Sequence, residues 1–162
     1  MHIDEFLEIS PTFSDFTPAE IEVLGKALTV KTYPQGHLFY EEGTRGSTMY
    51  IVMEGDVRVS RKRPQGRGYR YRDTLHAGDI FGLQSLIDNR VRYTTCEADT
   101  RVTVASLPKT AFNLLYHSHI AIAEHFQYAV ARQLTRELRA LDRQLINALS
   151  SGDVDDLLGN PA

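Results

Sequence analysis

A single cysteine, Cys96, is all the thiol chemistry that the 162 residues offer. One thiol closes no internal disulfide, and it is too few for a four-cysteine iron–sulfur site or a paired-cysteine metal knuckle. Its simplest use is as a small core residue. No apolar run approaches the roughly 20 residues that a membrane-spanning helix needs. The N-terminus, Met1-His2-Ile3-Asp4-Glu5, is acidic and lacks a charged-then-apolar leader pattern, so a cytoplasmic protein is expected. The net charge of −3 gives no whole-chain field that would attract nucleic acid. Histidine offers little for a metal: His117 and His119 are not spaced i,i+4, and no carboxylate follows them until Glu124. No Ser/His/Asp grouping, metal motif or P-loop is apparent, so no enzymatic turnover is expected. The remaining composition is that of an ordinary soluble fold, 42% hydrophobic and 24% charged.

The order of patterns along the chain is more informative. Thr17, Pro18 and Glu20 read as an N-cap, a first-turn proline and a capping box. Ile21, Leu24 and Leu28 follow at helical spacing, which predicts a short packing helix over 17–29. From about 30 to 107, short β-branched or aromatic runs alternate with glycine turns. Met49-Tyr50-Ile51-Val52-Met53 followed by Glu54-Gly55-Asp56 and Val57-Arg58-Val59 is typical. This predicts an all-β sandwich, barrel or roll. Pro108 closes that region, and 109–118 and 119–150 read as helices. In the second, Phe126, Val130, Leu134, Leu138, Leu141, Leu145 and Leu149 recur every three or four residues, with charges filling the other faces. A stripe that narrow suits a coiled-coil seam or a helix lying along the β unit. Residues 1–150 are expected to form one domain, with 151–162 (SGDVDDLLGNPA) a mobile acidic tail.

Helix, β-roll and long helix in that order, with Gly36, Gly43, Gly55 and Gly78 at the turns, resemble the cyclic-nucleotide-binding domain. The similarity runs through 32–60 (TYPQGHLFYEEGTRGSTMYIVMEGDVRVS) and 76–108 (HAGDIFGLQSLIDNRVRYTTCEADTRVTVASLP). This family includes catabolite-activator and fumarate–nitrate-type regulators, kinase regulatory subunits and gated channels. The resemblance implies a mainly β fold with flanking helices: a double-stranded β-helix, jelly-roll-like, followed by a long C-terminal helix. It also implies a phosphate cassette at Phe81-Gly82-Leu83-Gln84-Ser85-Leu86, closed by Val91-Arg92-Tyr93-Thr94. In the family an arginine and the start of a short helix hold the cyclic phosphate, and a glutamate accepts from the ribose hydroxyl. Gly82 and Arg92 match that pattern, and Arg92 is the expected phosphate-facing cation. Leu83 stands where the glutamate is expected. A buried hydroxyl without its partner costs about 1–3 kcal/mol, so affinity should fall. Gln84 beside it is an alternative acceptor. Tyr93 replaces a small hydroxyl residue and could fill the pocket, while Thr94 could supply the hydroxyl. Ser85 completes the cassette. The competing role for Arg92 is a structural ion pair with a carboxylate such as Glu97. An ungapped match of the long helix places Gln133 and Glu137 towards the ligand's base. A helix used only for dimer packing is the other reading.

The expected function is a small-ligand sensory or regulatory module with an altered cassette, signalling through its C-terminal helix. The ligand would be cyclic AMP, cyclic GMP or another small anion. The alternative is a ligand-independent adaptor binding a protein partner through the same fold. A homodimer through residues 119–149 is the expected assembly, and no membrane is expected. About a dozen residues after Leu149 cannot build a recognition helix, so sequence-specific DNA reading is not expected from this chain alone. Arg61, Lys62, Arg63, Arg67, Arg70 and Arg72 crowd the segment around Pro64-Gln65-Gly66. A solvated hairpin is the simpler reading, and a docking surface for an acidic partner or nucleic-acid backbone, helped by Tyr69 and Tyr71, is the alternative.

Overall fold

A computed structural model describes residues 1–62, 65, 67–84 and 88–152. The chain begins with α1 (Ile3–Ile9), a 3-10 turn (Pro11–Phe13) and α2 (Pro18–Ala27). The capping box forms as expected. The Thr17 hydroxyl accepts from the Glu20 N–H at 3.3 Å, and the Glu20 carboxylate accepts from the Thr17 N–H at 2.7 Å. α2 stops short of the expected end because Thr29 already belongs to a strand. The α1 helix was not anticipated, since seven residues carry too few turns for a period to show. It forms because Ile3, Phe6 and Leu7 share one buried face. It packs closely on α2, where a Cβ at Gly25 would collide with the Asp4 carboxylate.

Eight strands follow: β1 (Thr29–Tyr33), β2 (Leu38–Tyr40), β3 (Thr48–Glu54), β4 (Val57–Lys62), β5 (Tyr69–Leu75), β6 (Ile80–Phe81), β7 (Thr95–Ala98) and β8 (Val102–Pro108). They form two antiparallel four-stranded sheets, ordered β1-β8-β3-β6 and β2-β7-β4-β5. Val57 and Val59 on β4 alternate with half-buried neighbours, as do Cys96 and Ala98 on β7. With Val52, Leu75, Phe81, Val102 and Val104 they make the core between the sheets. In the first sheet the central strands β3 and β8 are buried towards both faces, while β1 at the edge is exposed. Met49, Ile51 and Met53 on β3, with Ala105 and Leu107 on β8, face a second core built with the helices. This is why β3 reads as an almost continuous apolar run rather than an alternating one.

Lys109–Ser118 form α3, and Ile120–Ser151 form α4. α4 therefore runs one residue past the expected helix end, and Gly152 caps it at φ 79°. The rest of the expected tail, 153–162, lies outside the described residues. The first half of α4 is docked by Ile122, Phe126 and Ala129. Its second half leaves the body, and Leu138, Leu145, Ile146 and Leu149 are exposed. No described helix is long and apolar enough to cross a membrane. In the basic segment Arg61 meets Glu42 at 3.4 Å and Lys62 meets Glu41 at 3.8 Å. Both cations face this chain's own carboxylates, as in a solvated hairpin. Arg63, Pro64 and Gly66 lie outside the described residues.

Candidate ligand site

The described surface holds a cavity of about 700 Å³ between the roll and α4. The roll contributes Tyr40, Val59, Leu75, Ile80, Phe81, Leu83 and Cys96. α4 contributes Val130, Leu134, Leu141 and Leu145. Polar groups enter this apolar lining from both sides. The roll contributes Arg61, Gly82, Arg92, Tyr93 and Thr94, and Gln133, Glu137 and Asp142 come from α4. Gln84 also lines the cavity, while Ser85 lies outside the described residues. Antiparallel pairing and the crossover of α4 thus gather residues from 40 to 145 around one space.

Arg92 is only 5% exposed. Its backbone is pinned first: its N–H donates to the Thr44 carbonyl at 2.8 Å, and its carbonyl accepts from the Gly43 N–H at 2.8 Å. The guanidinium then donates from Nη1 to the Gly82 carbonyl at 2.7 Å and from Nη2 to the Thr48 carbonyl at 2.8 Å. It lies 4.2 Å from the centroid of the Tyr40 ring. Buried Nε has no partner among the described residues. Two glycines make room for this. A Cβ at Gly46 would lie 2.5 Å from Nη2, and one at Gly82, where φ is 79°, would lie 2.8 Å from Nη1. The alternative pairing of Arg92 with Glu97 is corrected. Glu97 is taken by Arg58 at 2.7 Å, and Arg58 reaches Asp99 with its other nitrogen at 2.9 Å. That fork had no sequence signal, since its partners lie on strands brought together only by the sheet register Arg58↔Glu97.

Tyr93 does not fill the cavity. It lines the open cavity, 37% exposed, and its hydroxyl accepts from Arg90 Nη1 at 3.3 Å. Leu83 is buried in the cavity wall, an apolar side chain at the expected acceptor position. Thr94 lies 4.0 Å from the Cys96 sulfur. Burial pushes the Cys96 thiol up to about 11 and raises the Tyr40 phenol well above its ordinary value. Both stay neutral at the cavity floor, so Cys96 is an inert wall residue rather than a nucleophile.

Gln133 is 7% exposed and fully engaged. Its Oε1 accepts from the Ile80 N–H at 2.6 Å, and its Nε2 donates to the Ile80 carbonyl at 2.6 Å and to Glu137 Oε1 at 2.8 Å. Burial raises the Glu137 carboxyl above its ordinary value, against the opposing hydrogen bond from Gln133. Sequence reasoning placed Gln133 and Glu137 at the cavity, but it missed Tyr40, Thr48 and Ile80, whose contribution is a ring face or backbone groups.

Comparison with known proteins agrees with this geometry. The family model described as "Cyclic nucleotide-binding domain" matches residues 30–119. A CRP-like cAMP-activated global transcriptional regulator of Mycobacterium tuberculosis is 29% identical over 134 residues, 83% of this chain and 59% of the relative. A cAMP-dependent protein kinase regulatory subunit of Aspergillus fumigatus is 33% identical over 112 residues, 69% of this chain and 26% of the relative. The chain thus spans little more than half of the first relative and about a quarter of the second. Among solved structures, the catabolite activator protein of Thermus thermophilus superposes with a TM-score of 0.70 at 28% identity, covering 87% of this chain and 63% of that one. A cyclic nucleotide-binding domain from Methylobacillus flagellatus shares the fold with a TM-score of 0.77 at 22% identity, covering 90% of this chain and 82% of that one. The matched segment reaches from β1 to the junction of α3 and α4, more than half of the chain, and the chain belongs to the cyclic nucleotide-binding domain family.

Proposed function

We propose that the cavity binds a small anion of the cyclic-nucleotide type and that α4 carries the resulting signal, a sensory role without turnover. The observation that carries this reading is the cavity itself. About 700 Å³ stands open between the roll and α4, with Arg92 in its wall on the roll side and the Gln133–Glu137 pair on the α4 side. A ligand with an anionic end, a largely apolar body and a hydrogen-bonding far edge fits those walls. Cyclic AMP and cyclic GMP have that form. The relatives named above are regulators or regulatory subunits. Leu83 offers no polar contact at its place in the wall, so recognition rests on Arg92 and on the Gln133–Glu137 pair. Gln84 at the wall and Thr94 beside Arg92 are the remaining polar candidates on the roll side. Thermal unfolding with cyclic AMP, cyclic GMP and cyclic dinucleotides tests this. A ligand at about 100 times its Kd should contribute about 2.7 kcal/mol, with the shift reduced in Arg92→Ala. Absence of stabilisation by every one of them at saturating concentration overturns the reading.

One observation favours the second reading, an adaptor that works without ligand. Arg92 is already held by two carbonyls and the Tyr40 ring, which is the geometry of a strut, although its buried Nε has no partner among the described residues. An anion must draw the guanidinium away from those carbonyls or share it. In that reading the exposed leucines of α4 form the working surface, through a second copy of the chain or a protein partner.

A further inference from the structure

β6 is two residues long and stands at the edge of its sheet, paired with β3 on one side only. The outward N–H and C=O of such a strand need partners. Gln133 supplies both from one side chain: Oε1 accepts from the Ile80 N–H at 2.6 Å, and Nε2 donates to the Ile80 carbonyl at 2.6 Å. A carboxamide presents its donor and acceptor with the spacing of a peptide group, so Gln133 acts as a one-residue strand added to the sheet edge. Nε2 spends its other hydrogen on Glu137 Oε1 at 2.8 Å, fixing where that carboxylate stands in the cavity. Two residues beyond Ile80, the Gly82 carbonyl accepts from Arg92 Nη1 at 2.7 Å. A short unbroken path thus joins Arg92, Gly82, Phe81, Ile80 and α4. Arg136 and Asp79 add a looser contact beside it at 3.5 Å.

We propose that Gln133 is the positioning residue that couples α4 to the Arg92 side of the cavity, through its paired hydrogen bonds to Ile80. The coupling exists without any ligand; its use in signalling rests on the sensory reading above. A carboxamide of this length is required. Leucine keeps the volume and loses both bonds, and glutamate keeps the acceptor for the Ile80 N–H but, ionised, has no donor for the Ile80 carbonyl.

Hydrogen exchange on the full chain tests the coupling in a double-mutant design. Gln133→Leu should speed exchange of the Ile80 amide at least about tenfold, with Gln133→Glu intermediate. Arg92→Met removes the donor from Gly82. In the Gln133 background it should speed exchange of the α4 amides from 126 to 137 by about fivefold or more. In the Gln133→Leu background Arg92→Met should add nothing further on α4. If Gln133→Leu does not fold cooperatively, Gln133→Glu serves in its place. An equal effect of Arg92→Met in both backgrounds, or none in either, overturns the coupling. A second arm uses cyclic AMP at concentrations saturating for each protein. It should alter α4 exchange in the wild type and leave it unaltered in Gln133→Leu; an alteration that persists in the variant overturns the proposal. Failure of cyclic AMP and the other nucleotides to bind the wild type counts against the sensory reading alone, and the coupling is then decided by the Arg92→Met comparison.

Discussion

Arg92 carries the opposing demands of this site. Its two carbonyl partners and the Tyr40 ring make it a strut between the Thr48 end of β3 and the Gly82 turn. Arg92→Leu removes the guanidinium donor from both carbonyls, and denaturant unfolding should show a loss of about 2–4 kcal/mol. A loss within about 0.5 kcal/mol would mean that the strut is idle and the guanidinium is free for an anion. Leu83 poses the complementary question. It is buried in the cavity wall, at the position where the sequence resemblance expects a carboxylate that accepts from a ribose hydroxyl. Leu83→Glu should raise affinity for cyclic AMP roughly tenfold, measured by calorimetry, if the nucleotide sits as in the family. Unchanged or weaker binding would place any nucleotide in a different pose. Sequence comparison had already singled out both residues. It could not show that Arg92 has its own carbonyl partners, because Thr48 and Gly82 offer only main-chain oxygens, which every residue has.

α2 and the docked half of α4 depend on one another. The Glu20 carboxylate caps α2 and also meets His125 of α4 at 3.2 Å. The Thr17 N–H holds that carboxyl below the ordinary glutamate value of 4.5, with His125 adding to the effect and burial opposing it. A depressed value in the folded state means that the stabilisation is complete above the unfolded value and is lost as pH falls through the folded one. Wild type should therefore lose more stability than Glu20→Gln between about pH 6 and about pH 3. Parallel curves for the two proteins would contradict the cap's electrostatic role. Thr17→Ala should cost about 1 kcal/mol at neutral pH by thermal unfolding, as loss of an N-cap does. The elements themselves were legible to different degrees. α2 announced itself through Thr17, Pro18 and Glu20, and the strands through glycine turns and β-branched runs. α1 escaped because it is only seven residues long, and β6 because two residues carry no alternation.

As a whole, the molecule is a covered roll with a long helix that leaves it half-unpacked. Leu138, Leu145 and Leu149 are 64%, 43% and 55% exposed, an apolar seam left uncovered among the described residues. Leu141 and Leu145 also line the cavity, so whatever covers the seam borders the candidate ligand site. A homodimer through this stripe is the proposed assembly. Sedimentation should show a dimer that Leu138→Glu with Leu145→Glu turns into a monomer, and a monomeric wild type at high concentration would overturn it. Turn glycines, strand patterning and the leucine stripe were enough to reach the roll, the long helix and the family, because short-range periodicity and backbone conformation are written in neighbouring residues. What the tertiary structure alone decided were the long-range partnerships. Glu97 went to Arg58 rather than Arg92, the Arg92 guanidinium went to the Thr48 and Gly82 carbonyls, and Gln133 closed the edge of β6. Those outcomes depend on sheet register and on where α4 crosses the roll, and they bring together residues as far as 53 positions apart. The altered pocket expected at Leu83 and Tyr93 is thus apolar at Leu83 and open at Tyr93, with Arg92 held in its wall by the protein's own carbonyls.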